Sequence, residues 1–352
     1  MFDWYSSKVK PRKNHQEKIW ILDYSFYIYN GSFAFKRPCS CNGANKSCIK
    51  CEGSGHLFMQ SKSGIRTGGL FHVFNNILNR IADGYKVITV FDPPKEQLDR
   101  MKLLDSYKGN RPDVPEWITY QMDLGQDLLL HTGIDCFYSD HDESDDVIAT
   151  IALEKARNGA YVVVASDDKD MFPLLGHENI DLYRQKSLFT VSSFHEYMKK
   201  KSGIEIKDPS RFNEFLAICG DAADNFNLLE GLGPKAAEWI IANSNKSCLE
   251  VFNKLDKVPN KYLKKLIRCT KPENPKDPKA NPCPKGTDCI DCKYYIKGND
   301  KKSDMELSLQ IATLNYKATY RNINRNKDKA KVEKALLDLD MHAIIKNIND
   351  LF

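Results

Sequence analysis

The sequence predicts an α/β fold, in which a central, mostly parallel sheet carries helices on both faces and is followed by a helical region. Three observations predict it. Short apolar runs alternate with stretches of helical periodicity over the first two hundred residues, the pattern becomes mainly helical after Ser192, and eight of the eleven cysteines form two groups of four. Alternating strands and helices are typical of parallel sheets covered on both faces, and the cysteine groups indicate two metal-stabilised insertions.

The first half of the chain supplies the predicted sheet. Apolar runs of four to six residues predict buried strands, and apolar side chains that recur every three to four residues predict helices. In chain order these are the strand Ile19–Leu22, a helix over Arg66–Ile81, the strand Val87–Phe91, a helix over Glu116–Leu130, the strand Gly133–Tyr138, a helix over about Glu143–Ala156 and the strand Tyr161–Ala165. We therefore expect an α/β core domain over residues 19–200, after a basic extension at 1–18.

The second half, residues 201–352, is predicted to be a helical region. Helical spacing is seen in Arg211–Cys219, Pro234–Asn243 and Asp304–Tyr316, whereas Thr270–Gly286 is rich in Pro, Lys and Asn and predicts an irregular insertion. The window from 261 to 302 contains twelve Lys or Arg and five Asp or Glu, although the whole chain has a net charge of only +5. Such a basic surface attracts polyanions, but for this window alone a solvated charged face is the better interpretation.

Composition is that of an ordinary globular protein, with 41% hydrophobic and 28% charged residues. No segment approaches the roughly 20 consecutive apolar residues that a membrane helix needs, and the first residues lack a continuous apolar stretch. We therefore expect a cytoplasmic protein without membrane association.

Acidic residues follow the predicted strands. Asp23, Asp92 and the pair Asp168 and Asp170 each come directly after a strand, so they should meet at one edge of the sheet. Glu143, Asp145 and Asp146 open a helix, where an acidic first turn is usually explained by the helix dipole alone. Several acidic sets at one edge favour another interpretation, because like charges repel unless cations neutralise them. Oxygen ligands of this kind suit Mg²⁺ or Mn²⁺.

Two cysteine groups predict structural zinc. The first comprises Cys39, Cys41, Cys48 and Cys51 within an insertion at 37–58, and the second comprises Cys269, Cys283, Cys289 and Cys292 within an insertion at 269–292. Clustered cysteines in an intracellular chain are metal ligands more often than disulfides. Four buried free thiols are the alternative, and His56 could replace Cys41 in the first site.

Five motifs in order resemble those of the 5′ nuclease family, which includes flap endonucleases, phage 5′ to 3′ exonucleases and the nuclease domain of DNA polymerase I. The resemblance covers about Ile19 to Ser244 and rests on Phe91-Asp92 followed by Arg100 and Tyr107-Lys108-Gly109-Asn110-Arg111, on Glu143-Ser144-Asp145-Asp146, on Asp168-Lys169-Asp170, on Gly220-Asp221-Ala222-Ala223-Asp224-Asn225, and on Gly231-Leu232-Gly233-Pro234-Lys235. It implies a PIN-like fold and a metal-dependent nuclease that cuts DNA at 5′ ends, at flaps or on duplexes with a single-stranded 5′ arm.

The resemblance also implies roles for individual residues. Nine acids would hold two Mg²⁺ or Mn²⁺ ions: Asp23, Asp92, Glu143, Asp145, Asp146, Asp168, Asp170, Asp221 and Asp224. Two such ions would clamp the attacking and leaving oxygens of a phosphoryl transfer. Lys108 and Arg111 would act as catalytic cations at the base of a helical arch within 93–142.

The resemblance implies a helix-hairpin-helix over residues 221–243 that binds the DNA backbone. Arg100, Gly231, Gly233 and Lys235 would contact DNA, and the family's hairpin also holds K⁺. Glycines let backbone amides approach phosphates closely. Two alternatives remain open, namely a non-catalytic zinc-containing DNA-binding protein and an RNA-cutting nuclease of the PIN type. The resemblance also implies a monomer that acts in DNA replication or repair, in the cytoplasm of a bacterial or phage-infected cell.

Overall fold

A computed structural model describes residues 17–93, 97–269 and 295–352, with the side chains of 268, 269 and 295–299 left undescribed. These residues form two compact units. Unit 1 comprises the described residues of Met1–Leu98, Pro112–Thr190 and Asn315–Phe352, and unit 2 comprises Asp99–Arg111 and the described residues of Val191–Leu314. No helix in the described ranges is long and apolar enough to span a membrane.

Unit 1 is built on a seven-stranded sheet, which confirms the predicted α/β class. Its strands are β1 (Lys18–Asp23), β4 (Lys86–Phe91), β5 (Asp135–Tyr138), β6 (Tyr161–Ala165), β7 (Ile180–Arg184), β8 (Ser187–Phe189) and β11 (Arg321–Asn322), in the spatial order β11-β5-β4-β1-β6-β7-β8. The five central strands are parallel, and only β8 and β11 pair antiparallel. A separate hairpin joins β2 (Lys36–Pro38) to β3 (His56–Phe58).

Helices cover the sheet of unit 1. They are α1 (Tyr24–Ala34), α2 (Gly68–Ala82), α3 (Glu116–Leu130), α4 (Ser144–Arg157), α10 (Lys329–Asp338) and α11 (His342–Ile345). Trp20 and Leu22 of β1 pack in one apolar cluster with α1, α2 and α3. The alternating residues Ile19 and Ile21 are also fully buried, on the strand against which α4 packs. A strand buried on both sides explains why its sequence is continuously apolar.

Unit 2 is mainly helical, as the sequence predicts for this part of the chain. It contains α5 (Val191–Ser202), α6 (Phe212–Cys219), α7 (Pro234–Ala242), α8 (Asn260–Leu266), α9 (Lys302–Ala312) and the antiparallel pair β9 (Ile267–Cys269) and β10 (Tyr295–Asp300). Of the second cysteine group, Cys283, Cys289 and Cys292 lie outside the described residues, as do residues 1–16 of the basic extension.

The division of the chain differs from the predicted domains at two places. Residues 315–352, which the sequence analysis placed in the helical region, return to unit 1, where β11 pairs with β5 through Arg321 and Tyr138. A two-residue edge strand is too short to show a periodicity, which is why the sequence pattern missed it. The segment predicted as an arch is also divided, because Asp99–Arg111 belongs to unit 2 and α3 to unit 1.

Helices α1 and α2 cross closely because glycines line their contact. A Cβ placed on Gly69 would lie 2.7 Å from the carbonyl oxygen of Ile28 and 2.6 Å from Ser32 Oγ. The Gly69 N–H also donates to Gln121 Oε1 at 2.9 Å, so α3 fixes the same point. These contacts set the direction in which α1 leaves the end of β1.

Substitution of Gly69 by Ala should destabilise the protein. An alanine normally favours a helix over glycine by about 0.5–1 kcal/mol, but here the helices must separate to admit the methyl group. We expect the free energy of unfolding in urea to fall by about 1–3 kcal/mol. Gly233→Ala is the control, because an added Cβ there meets nothing within 4 Å; a Gly69→Ala protein as stable as the wild type would contradict the prediction.

Candidate active site

The carboxylates of unit 1 gather at the carboxyl edge of the sheet because β1 lies between β4 and β6. Asp23 is level with Val90 of β4, and Leu22 is level with Ala165 of β6. Asp92 and Asp168 therefore follow their strands at the same edge. From β1 the chain adds β4 and β5 on one side and then β6 and β7 on the other. Such reversals create the crevice at which open α/β sheets bind ligands.

Asp23 is the buried centre of this group. Its side chain is 6% exposed and begins α1 by accepting the N–H of Phe26 at 3.2 Å. Burial and, after it, the neighbouring charges of Asp92 and Asp168 raise the pKa of Asp23 to about 7, against the opposing effect of the hydrogen bonds from Ser166 and the Phe26 N–H. Three carboxylates close enough to perturb one another are the arrangement that a divalent cation would stabilise.

Ser166 and Ser144 orient these acids, and the sequence analysis assigned neither a role. Ser166 Oγ donates to Asp23 Oδ2 at 2.8 Å and accepts the Asp168 N–H at 3.1 Å, so it links β1 to β6. The N–H of Ser144, at the start of α4, donates to Asp92 Oδ1 at 3.1 Å. The sequence places Ser166 directly after a strand and Ser144 at a helix N-terminus, and these positions could have indicated their role.

The helix-start acids differ from one another. Glu143 and Asp146 are 4% and 3% exposed, whereas Asp145 is partly exposed. Asp146 Oδ1 accepts the N–H of Asn315 at 2.7 Å, so this acid also fastens the returning C-terminal segment. Asp168 begins a short 3-10 helix by accepting the Asp170 N–H at 3.0 Å.

A second acidic loop lies in unit 2, between α6 and α7. Gly220 has a φ of +77°, and Asp221 exchanges backbone hydrogen bonds with Phe226 at 2.8 and 3.0 Å, which closes the loop. Asp221 and Asp224 are 4% and 6% exposed. Asp224 Oδ1 accepts from Arg111 Nη2 at 2.6 Å and its Oδ2 from the Tyr107 hydroxyl at 3.3 Å.

The loop that carries the predicted catalytic cations is fastened to this acidic loop. The Lys108 N–H donates to the Asp224 carbonyl at 3.0 Å, and the Asn110 amide donates to the Ala222 carbonyl at 3.1 Å. Lys108 is 9% exposed and has a φ of +53°. The sequence placed Lys108 and Arg111 beside an active site, but it gave no sign that Arg111 pairs with Asp224.

The residues predicted to contact DNA make hydrogen bonds within unit 2. Arg100 Nη2 donates to the Thr313 carbonyl at 2.9 Å. Lys235, in the first turn of α7, donates to Glu238 at 3.0 Å and to the Gly203 carbonyl at 2.7 Å. Gly231 has a φ of +85°, and Gly233 precedes α7 in open space.

The first cysteine group converges in unit 1, on the insertion between α1 and α2. The four sulfur atoms all lie within 4.8 Å of one another, with Cys39 to Cys48 at 3.9 Å and Cys41 to Cys51 at 3.3 Å. Ligands about 2.3 Å from a tetrahedral zinc ion stand about 3.8 Å apart. Cys41 belongs to this group, whereas the ring of His56 lies 3.1 Å from the Ser54 carbonyl.

The two halves of this cysteine knuckle have the same backbone conformation. After Cys41 the φ angles are +46° at Asn42 and +78° at Gly43, and after Cys51 they are +50° at Glu52 and +76° at Gly53. Hydrogen bonds lower the pKa of Cys39 to about 7, that from the Cys41 backbone first, and likewise lower the pKa of Cys48, whereas desolvation raises the pKa of Cys51 to about 12. Metal binding requires all four sulfurs as thiolates.

Asp23→Asn should stabilise the metal-free protein increasingly as the pH rises. Folding raises the pKa of this carboxyl from 3.8 to about 7, so ionisation in the unfolded chain favours unfolding between those values. Asparagine does not ionise, so the variant does not lose stability in this way as the pH rises. In urea unfolding without divalent ions, we expect the variant's advantage to grow by about 2 kcal/mol from about pH 5.5 to about pH 8.

The charge-matched control is Asp123→Asn, which alters an exposed carboxylate on α3. An advantage of Asp23→Asn that shrinks with rising pH would show that the Asp23 carboxyl is not destabilised by its burial and its acidic neighbours.

Comparison with known proteins places this arrangement in a family. Residues 18–203 match the family described as "5'-3' exonuclease, N-terminal resolvase-like domain". The chain is 29% identical to a 5′-3′ exonuclease of Buchnera aphidicola subsp. Acyrthosiphon pisum (strain APS) over 244 residues, or 69% of this chain and 76% of that protein. It is 25% identical to a 5′-3′ exonuclease of Aquifex aeolicus (strain VF5) over 95% of this chain and 96% of that protein.

Solved structures share the fold. The T5 5′-exonuclease with bound divalent zinc ions superposes with a TM-score of 0.54 at 15% identity, covering 95% of this chain and 98% of that one. Flap endonuclease-1 from Methanococcus jannaschii gives a TM-score of 0.52 at 13% identity, covering 97% and 96%. Because the family match spans more than half of the sequence, the chain belongs to the 5′-3′ exonuclease family and is a hydrolytic nuclease.

Proposed function

We propose that the chain hydrolyses DNA phosphodiester bonds at 5′ ends or 5′ flaps, with two divalent cations held by its carboxylates. The observation that carries the proposal is the buried Asp23, whose pKa is raised to about 7 by burial and by the adjacent Asp92 and Asp168. A buried carboxylate with like-charged neighbours destabilises the metal-free fold. Carboxylates whose pKa values are perturbed in this way cluster at functional sites. Hard oxygen donors fit Mg²⁺ or Mn²⁺.

Divalent cations, when bound, lower the pKa of water and neutralise charge on the phosphate. The chain's own residues supply the rest. Ser166 and the N–H of Ser144 hold Asp23 and Asp92 in fixed orientations, which preorganises the oxygens before substrate binds. We assign further metal-ligand roles to Glu143, Asp145, Asp146 and Asp170 of unit 1, and to Asp221 and Asp224 of unit 2, on the strength of the family motifs.

In unit 2 we propose that Lys108 and Arg111 bind the scissile phosphate. The side chain of Arg111 is 47% exposed although it pairs with Asp224, so a phosphate oxygen can approach it. A fixed guanidinium stabilises charge that develops in the transition state. Gly231 and Gly233, with Lys235 and Arg100, are proposed to bind the duplex backbone, because the open surroundings of Gly233 admit a phosphate close to the main chain.

Asp168→Asn should abolish cleavage without unfolding the protein. An asparagine oxygen can still accept the Asp170 N–H that Asp168 accepts now, but it lacks the charge that a divalent cation requires. We expect cleavage of a 5′-labelled flap duplex in Mg²⁺ to fall at least about a hundredfold, while binding of the same duplex without divalent ions is retained. Asp123→Asn, which removes an exposed carboxylate elsewhere in unit 1, should cleave as the wild type does.

Parallel assays on several substrates distinguish exonuclease from flap-endonuclease activity and test the two alternative functions. A flap, a nicked duplex and a blunt duplex distinguish released intact flaps from mononucleotides, and a matched RNA flap tests the RNA-cutting alternative. A wild-type protein that binds all of them in Mg²⁺ and cuts none would establish the non-catalytic alternative.

We also propose that the first cysteine group binds one structural zinc ion. Its support is the mutual approach of four sulfurs and the repeated backbone turn. A loop of this length buries too little apolar surface to hold its own conformation, and a metal replaces that missing core.

Substitution of Cys48 and Cys51 by Ser should lower the zinc content by about one ion per chain. The reason is that two of four thiolates are lost from one tetrahedral site. Metal analysis of the purified protein measures the change, and Cys219→Ser is the control, because Cys219 lies in unit 2 away from the described cysteine group. Zinc content equal to that of the wild type would refute the site, whatever the second cysteine group binds.

A further inference from the structure

A cavity of about 810 Å³ lies beside the cysteine knuckle in unit 1. Its walls come from the C-terminal end of α1, the β2–β3 hairpin, the second half of the knuckle and α2. The volume is within the range of small-molecule sites. Because the knuckle and the hairpin form an insertion between α1 and α2, this cavity belongs to residues outside the five nuclease motifs.

The lining of the cavity combines aromatic rings with positive charge. Four cations, Lys36, Arg37, Lys50 and Arg66, face it together with a single acid, Glu52, and three rings, Phe35, Phe58 and Phe71. All of the cations except Arg66 are exposed. Aromatic rings interleaved with cations are the lining of sites that bind unpaired nucleotides, whose base faces are open to stacking.

Arg66 shows that part of this surface is fixed in advance. Its guanidinium lies 4.7 Å from the ring centre of Phe58 and 4.4 Å from that of Trp117, and it donates to Glu52 at 2.7 Å. Two rings and a carboxylate therefore hold the guanidinium in place in the cavity wall, with 18% of the side chain exposed. Guanidinium groups held in this way stack on nucleic-acid bases.

A second, smaller cavity shares part of its wall with the first. It has a volume of about 190 Å³, and Ala34 and Phe35 line both cavities. Its other wall includes Asp167, the residue before Asp168, and the cations Arg184 and Lys186. Arg184 donates to the Asp167 carbonyl at 2.8 Å, which fixes this wall to the end of β6. We call these two neighbouring cavities together the cationic path; the wall of the smaller one includes Asp167, which precedes the predicted ligand Asp168 in the chain.

We infer that this path binds a few nucleotides of single-stranded DNA, with unpaired bases in the larger cavity and phosphates on Lys36 and Arg37. The inference rests on the proposed nuclease function and names where an unpaired strand of the substrate lies. Duplex DNA should bind this lining less well than a single strand, because its bases are stacked on one another and cannot stack on the aromatic rings. The knuckle thus contributes a wall of a binding site, through Lys50 and Glu52 beside Cys51.

The test is binding of a fluorescein-labelled dT12 strand, measured by anisotropy in buffer free of divalent cations, so that no cleavage is required. Lys36→Glu with Arg37→Glu changes two exposed side chains of β2. We expect the Kd for dT12 to rise about tenfold or more, and the salt dependence of binding to fall by about 1.4 in slope, as two lost phosphate contacts predict. The Kd for a blunt 12-base-pair duplex should change less than about threefold.

The matched control is Lys334→Glu with Lys346→Glu, which makes the same change in charge at exposed positions of unit 1 that line neither cavity. It should change both Kd values less than about threefold. A second variant, Phe71→Leu, tests stacking: we expect it to weaken dT12 binding about fivefold and to reduce the fluorescence quenching of 2-aminopurine placed in the strand.

The outcomes separate this inference from the proposed function. Equal losses for strand and duplex, or equal losses in the Lys334 and Lys346 control, would show a general electrostatic effect and overturn the inference. Unchanged dT12 binding by the variant at Lys36 and Arg37, in a protein that cleaves flaps, would overturn the inference and leave the nuclease intact. Selective loss of dT12 binding in a protein that cleaves nothing would support the binding path and reject the nuclease proposal.

Discussion

Repulsion among carboxylates at one edge of a parallel sheet is the constraint around which unit 1 is arranged. Parallel pairing of β1 with both β4 and β6 forces Asp23, Asp92 and Asp168 toward one another. The cost is visible in the raised pKa of Asp23, whose first cause is burial and whose second is Asp92. Hydrogen bonds from Ser166 and Ser144 hold the acids in place but supply no positive charge. Bound cations, as proposed for this edge, would neutralise that repulsion.

The two metal sites proposed for unit 1 differ in the type of ligand atom. The sheet edge offers carboxylate oxygens, which favour hard cations such as Mg²⁺, whereas the knuckle offers four sulfurs, which favour zinc. Helix α1 separates them: it begins at Asp23 and ends at Ala34, eleven residues or about 16 Å later. The insertion that carries the cysteines thus begins a helix length away from the acids.

Local patterns in the sequence predicted much of this fold. They could not predict pairings between residues that are far apart in the sequence. Ile19–Leu22 is fully buried and so shows a continuous apolar run, and Asp23 follows it at the position where parallel strands converge. The Cys39 to Cys51 spacing likewise fixes its own turns, because each ligand lies within a few residues of the next. By contrast, β11 has two residues, and the pairing of Arg111 with Asp224 joins positions 113 residues apart. Neither leaves a periodicity or a spacing in the sequence.

The two units limit the repulsion of buried acids by different means, and this has a consequence for metal binding. In unit 1 Asp23 has neighbours of its own charge, and its pKa rises, so that it can remain protonated near neutral pH. In unit 2 Asp224 is paired with the guanidinium of Arg111. A cation that binds Asp23 must therefore displace a proton, whereas one that binds Asp224 competes with Arg111, whose charge does not depend on pH in the physiological range. If both acids hold metal as proposed, binding at Asp23 releases a proton, whereas binding at Asp224 places the metal in competition with its ion pair to Arg111. Metal binding at the first acid should therefore depend on pH more strongly than metal binding at the second.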